Sequence, residues 1–318
     1  MRVGIMIGAE RGDSGRKVTR MLDEVVWAEE AGLDTVWVPQ VPSDFDALVA
    51  VTMMGARTSR IEFLTAVIPL QIQHPIALAR QALSAQAAIG GRLALGVGPS
   101  HHWIVRDMLG LAYERPAAYT RNYLEVLSAA VTGATSVDVE NDEFRVHNPL
   151  DLEPVSPLPV LVSALGPVML RLAGERADGT VLWMADERAI GEHVLPKITK
   201  AAGDAGRPAP RIVAGLPVCA CSSTEVVTAR ERANRILAEA KTSPNYQRLM
   251  EKGDARNVGD LLAAGDDDAI LKRFQRFADA GVTDLSVRIL PIGANRDELI
   301  ASKRQTRDVI AALSAEVR

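Results

Sequence analysis

Residues 60–101 read RIEFLTAVIPLQIQHPIALARQALSAQAAIGGRLALGVGPSH. Two short apolar runs, Glu62–Val67 and Leu93–Val97, flank an amphipathic stretch, Pro75–Ile89, that opens on a proline and stops at Gly90 and Gly91. Proline suits a first helical position, where its missing N–H is one of the unpaired donors anyway. Glycine takes the left-handed conformation that ends a helix. Neither run alternates apolar with polar, as a strand with one wet face would. Each is apolar nearly throughout, as a parallel strand covered on both faces is. The segment predicts a strand–helix–strand unit.

The same order recurs on both sides of it. Further strands are predicted at Val3–Ile7, Thr35–Val38, Val160–Ser163, Thr180–Trp183, Ile212–Ala220 and Asp284–Ile289. Further helices are predicted at Arg16–Ala31, ending at Gly32, at Tyr119–Val131, ending at Gly133, at Pro167–Arg176 and at Asp268–Ala280, ending at Gly281. Eight strand–helix repeats predict an α/β fold, a closed (β/α)8 TIM-type barrel. Three insertions interrupt it: Ser100–Pro116 after strand four, a small hairpin over Ser136–Asn148, and extra helical turns within Thr242–Gly265 before the last strand. No low-complexity linker divides the chain, so residues 1–318 are expected to form one domain.

Composition narrows the function classes. The 318 residues are 47% hydrophobic, enough for a large core, and the net charge of −4 includes no basic stripe for nucleic acid. No apolar run approaches the roughly 18 residues of a membrane span. The N-terminus turns polar too early for a signal-peptide core. Cys219 and Cys221 fall on one face of a strand and read as buried, reduced thiols of a cytoplasmic protein. Asp266, Asp267 and Asp268 read as the cap of the following helix, with no metal site implied.

Barrel active sites lie at the C-terminal ends of the strands. Those positions hold no lysine for a Schiff base, no His/Asp/Glu cluster for a metal and no G-x-S-x-G elbow. A rim so poor in acids, bases and nucleophiles calls for a borrowed cofactor. Gly96 and Gly98 suggest a dinucleotide fingerprint, but His101 occupies the third glycine position and no acidic residue is clearly placed further on. In a barrel these glycines mark close approach of backbone to a ligand. The run Ser163-Ala164-Leu165-Gly166-Pro167 ends a strand and starts a helix, which suits an anion. His101 is the candidate ligand-facing histidine, and its neighbour His102 is expected to diverge from it. His74 reads as structural, His147 and His193 as surface residues, and Trp103 and Trp183 as possible walls of a flat ligand.

Together with residues 32–40 (GLDTVWVPQ) and 159–186 (PVLVSALGPVMLRLAGERADGTVLWMAD), the opening segment resembles the luciferase-like barrel superfamily. Within it, the chain is most similar to oxidoreductases that use the deazaflavin coenzyme F420. The resemblance implies a non-proline cis peptide at Ala66–Val67 as a platform for the ring, with Gln40 nearby. It implies phosphate and ribityl contacts from Gly98, Pro99, Ser100 and His101 and from Ala164, Leu165, Gly166 and Pro167. With aromatic residues at only 4%, the platform matters more than stacking.

Relatives that oxidise alcohols often carry an Asp-His pair after strand two, where this chain has Val38-Pro39-Gln40-Val41. Without that base the expected direction is reduction of an activated C=C, C=N or C=O bond, with His101 or water supplying the proton. Arg11 and Arg106 stand in or near the mouth loops and could meet the coenzyme's acidic tail, although solvation alone explains either. A small-molecule substrate and a homodimer are expected. The alternatives are an FMN-dependent monooxygenase of the same superfamily and a non-catalytic cofactor-binding barrel.

Overall fold

A computed structural model describes residues 1–9, 14–152, 154–238 and 243–317. Its strands, in chain order, are β1 (Arg2–Met6), β2 (Thr35–Val38), β3 (Glu62–Thr65), β4 (Ile68–Pro69), β5 (Leu93–Gly98), β6 (Ser136–Glu140), β7 (Arg145–Pro149), β8 (Val160–Val162), β9 (Gly179–Leu182), β10 (Arg211–Ala220), β11 (Ala263–Gly265) and β12 (Asp284–Ile289). Eight of them pair in parallel around a ring, β1-β2-β3-β5-β8-β9-β10-β12, and β12 returns to β1. The barrel is closed, as the eight apolar runs predict. The β6–β7 hairpin turns at Asn141, whose side-chain oxygen accepts the Phe144 N–H at 2.9 Å.

The helices are α1 (Ser14–Glu30), α2 (Ala47–Gly55), α3 (Pro75–Ala88), α4 (Pro116–Val131), α5 (Pro167–Arg176), α6 (Leu195–Asp204), α7 (Val226–Ile236), α8 (Pro244–Met250), α9 (Asp267–Asp279) and α10 (Arg296–Ser314). Their ends follow the local chemistry. His74 caps α3 by accepting the Ile76 N–H at 3.2 Å, and Asp266 caps α9 by accepting that of Ala269 at 3.0 Å. Gly32, Gly90, Gly133 and Gly281 all take positive φ where the helices before them stop. Helix α2 gives no amphipathic signal because its sequence, ALVAVTMMG, is apolar nearly all round.

Strand alternation builds two cores. Val36, Phe63, Leu95, Val162, Ile212, Leu285 and Val287 point outward into the layer shared with the helices. Trp37, Leu64, Ala94, Leu161 and Val213 point inward and fill the barrel. The N-terminal end is plugged by ions: Arg211 pairs with Glu62 at 3.1 Å and Asp284 at 2.9 Å, and Arg2 pairs with Glu62 at 2.7 Å. Burial alone would lower the Arg211 pKa, but the two carboxylates outweigh it and hold the group charged. These paired charges occupy the N-terminal end of the barrel, opposite the strand ends at which barrel active sites lie.

Candidate active site at the C-terminal mouth of the barrel

The strand predicted over Glu62–Val67 is interrupted. Leu64 faces Ala94, yet Ile68 faces Val97, so this side carries one residue more than its partner. The extra residue is taken up in a bulge that contains a cis peptide bond at Ala66–Val67. Thr65 pins the bulge from below: its hydroxyl donates to the Gly96 carbonyl at 2.8 Å and accepts the Gly96 N–H at 2.9 Å. Ala66 and Val67 are left half-exposed at the mouth.

Gly98 links this bulge to the next two strands. A Cβ there would lie 2.0 Å from the Ser163 hydroxyl and 3.1 Å from a Val67 methyl. A side chain here would force Ser163 to turn and press on Val67, and three of the sequence-predicted segments meet on one side of the mouth. Beyond Gly98, Ser100 takes a left-handed φ of 59°, and its carbonyl accepts the Tyr113 hydroxyl at 2.9 Å. That bond closes the insertion after β5 back onto its own base.

The start of α5 has the chemistry of an anion seat. Gly166 precedes it with no side-chain cap, and a Cβ on Gly166 would meet nothing within 4 Å. Gly166 and Pro167 are exposed, Leu165 is half-exposed and Ala164 is buried. The start of α5 is thus exposed, and the free backbone N–H groups and dipole of a helix start suit an anion. His193 supports the turn by donating from Nε2 to the Leu165 carbonyl at 3.0 Å. It is half-buried, not a surface residue as its sequence context suggested, because α5 and the turn before α6 pack together there. His147, by contrast, is exposed and pairs with Asp138 across the hairpin.

His101 lies flat on Trp103, with ring centres 4.2 Å apart and planes 9° from parallel. Tyr246 meets it edge-on at 5.2 Å. Burial, aided by the charge of His102, pushes the His101 pKa down to about 4. The ring is neutral at pH 7 and offers a hydrogen bond rather than a ready proton. His102 does diverge, touching the edge of Trp103 instead of its face.

Tyr246 comes from α8, inside the predicted insertion, and burial pushes its phenol up to about 12. The insertion is fastened by Asp186, which follows β9. One Asp186 oxygen accepts the Ala189 N–H at 2.9 Å; the other accepts those of Asp254 at 2.6 Å and Ala255 at 2.9 Å. Gly253 makes room, since a Cβ there would fall 2.1 Å from that carboxylate. Sequence reasoning missed Tyr246, Gly253 and the fastening role of Asp186. Their partners lie on distant segments, and no local pattern announces them.

Gln40 is not loose in the mouth. Its side-chain oxygen accepts the Ala47 N–H at 2.6 Å and so fixes the start of α2. Lys17, also missed, reaches from α1 to donate to the Gly8 carbonyl at 2.9 Å and to pair with Asp44. It clamps the loops after β1 and β2, and it is buried. Arg106 is exposed and paired with Asp107 at 2.6 Å, while Arg11 lies outside the described residues. Among the described residues no cluster fit for a metal ion occurs, and burial pushes the Cys219 thiol up to about 12, far from a reactive thiolate.

A backbone shelf at Ala66–Val67, a close approach at Gly98 and a helix start without a side-chain cap stand together at the mouth, and among the described residues no metal-binding cluster accompanies them. The sequence profile of luciferase-like monooxygenases matches residues 1–284, and the chain belongs to that family. It is 24% identical over 299 residues to a 5,10-methylenetetrahydromethanopterin reductase of Methanolobus tindarius, covering 86% of this chain and 90% of that one. The solved coenzyme F420-dependent tetrahydromethanopterin reductase of Methanopyrus kandleri superposes with a TM-score of 0.75 at 22% identity, covering 100% of this chain and 99% of that one. A Baeyer-Villiger monooxygenase from Pseudomonas putida, solved in complex with FMN, superposes with a TM-score of 0.76 at 17% identity over 99% and 98% of the two chains.

Proposed function

We propose that the protein is an oxidoreductase that uses coenzyme F420 to reduce an activated C=C, C=N or C=O bond of a small organic substrate. The observation that carries this reading is the meeting of Val67, Gly98 and Ser163 beside the open start of α5. The shelf at Ala66–Val67 suits the ring, the backbone at Gly98, Pro99 and Ser100 suits the ribityl chain, and the Gly166–Pro167 start suits the phosphate. When bound in its reduced form, the coenzyme supplies a hydride.

The chain's own groups bind and orient around that chemistry. His101, neutral and held between Trp103 and Tyr246, donates a hydrogen bond to the negative charge that develops on the substrate. Water supplies the proton, because a neutral imidazole is a poor acid. Gln40, with its oxygen tied to α2, keeps its amide N–H2 as a donor beside the ring. No carboxylate–histidine pair stands after β2 to take a proton from an alcohol, which favours reduction over oxidation.

The test is consumption of reduced F420 with a panel of enones, imines and ketones. Turnover with at least one class, reduced in His101→Ala, is expected; unchanged turnover in that variant removes the histidine from the role. Full-length similarity to an FMN-bound monooxygenase supports a second reading, in which FMN takes the same seat. Oxygen consumption with reduced FMN would favour it.

We further propose a cytoplasmic homodimer. Among the described residues no helix is long and apolar enough to cross a membrane. A groove of about 690 Å³ between α2 and α3 exposes Val49 on a helix that is apolar nearly all round, which supports cover by a second copy.

A further inference from the structure

The wall of the mouth opposite the proposed coenzyme seat carries its own built feature. Around the ring of strands, β12 stands four places from β5, diametrically across the barrel. Asp284, Ser286 and Arg288 point inward from β12, because Leu285 and Val287 belong to the outer core. The Arg288 guanidinium lies over the Trp183 indole, 5.9 Å from the ring centre. Gly215 on β10 makes this possible: a Cβ there would fall 2.3 Å from the indole. The indole is thus laid against bare backbone, with the cation above it.

Ser286 adds an independent observation. It pairs in register with Gly215 on one side and Gly4 on the other, so it sits one inward step below Arg288 with no side chain flanking it. Its residue is only 2% exposed, yet its hydroxyl has no hydrogen-bond partner among the described residues. A buried donor left unmade is costly, and it is satisfied when a ligand oxygen arrives.

We infer that Arg288, Trp183 and Ser286 form the substrate's anion subsite, so that the substrate carries a carboxylate or phosphate oxyanion. A guanidinium is always charged and presents a planar fork that matches either group. The indole holds that fork in place through its face. The inference rests on the proposed coenzyme seat, which leaves this wall to the substrate.

The probes are two matched pairs: cinnamate against cinnamamide, and phenyl phosphate against phenol. Each is titrated calorimetrically into protein with and without F420, and F420 binding is measured separately by fluorescence. At least one acid is expected to bind tenfold or more tighter than its neutral partner, and which pair shows it identifies the oxyanion. Arg288→Met should erase the preference, Arg288→Lys should keep part of it, and Ser286→Ala should weaken the acid less than Arg288→Met does. F420 affinity in Arg288→Met should stay within twofold, which also reports that the variant is folded. No acid preference in either pair overturns the inference. So does loss of F420 binding in a folded Arg288→Met, which would give the arginine to the coenzyme. Failure of F420 to bind the unaltered protein counts against the coenzyme seat alone, because the acid preference is still read in the protein without it.

Discussion

At the N-terminal end of the barrel, charged groups consume one another. Arg2, Glu62, Arg211 and Asp284 form one ion cluster, and Arg92 donates to the carbonyls of Gly55, Thr58, Ile61 and Ile89. Glu29 accepts the backbone N–H groups of Ser59, Arg60 and Ile61. The C-terminal end is less complete: among the described residues the Ser286 hydroxyl has no partner, α5 starts with no side-chain cap, and His101 is half-buried and neutral. Both ends belong to the same strands, so the difference is not one of scaffold. Internal satisfaction marks the end that stabilises, and the incomplete satisfaction at the other end supports the proposal that a ligand binds there.

The comparison can be broken from either side. The largest effect is expected at the plug. Asp284→Asn leaves Arg211 short of a counter-charge in the barrel interior and should cost about 3–5 kcal/mol of stability in denaturant melts. F420 affinity should be unchanged in the folded variant. At the mouth, Gly98→Ala drives a methyl against Ser163 and Val67 and should cost about 1–3 kcal/mol of stability. Here, unlike at the plug, F420 affinity should fall at least tenfold. If the plug variant weakened F420 as much as Gly98→Ala does, the division between the two ends would be wrong.

Two smaller effects sharpen it through pH. The folded pKa of His101 lies below its unfolded value, so its contribution is complete above about pH 6.5 and is lost as pH falls towards about 4. His101→Gln should flatten that part of the stability profile, by about 2 kcal/mol at most because the ring is partly exposed. At Glu29, burial acts to raise the pKa, but the N–H groups of Ile61, Arg60 and Ser59 and the Ser59 hydroxyl outweigh it and hold it at about 2. Its contribution is present above about pH 4.5 and is lost as pH falls towards about 2. Glu29→Gln should cost about 1 kcal/mol at pH 7, with solvent screening the rest, and progressively less in acid.

What could be read from the sequence follows the range of the forces. Strands such as Leu93–Gly98, buried on both faces, announce themselves as unbroken apolar runs, and the Gly166–Pro167 start is a local backbone signal. The register slip between Leu64 and Ile68 is different, since it depends on where β5 lies. The residues that complete the mouth were harder still. Tyr246, Gly253 and Lys17 resemble ordinary surface or helix residues until distant segments meet them, and Arg288 gains meaning only from Gly215 and Trp183 beside it.

On the proposed function, the mouth formed by Ala66–Val67, Gly98 and the start of α5 seats a deazaflavin. Parallel fluorescence titrations of the protein with F420 and with FMN test it most directly. The account predicts saturable F420 binding, much tighter than FMN, that Gly98→Ala weakens at least tenfold. Binding of FMN alone would contradict it.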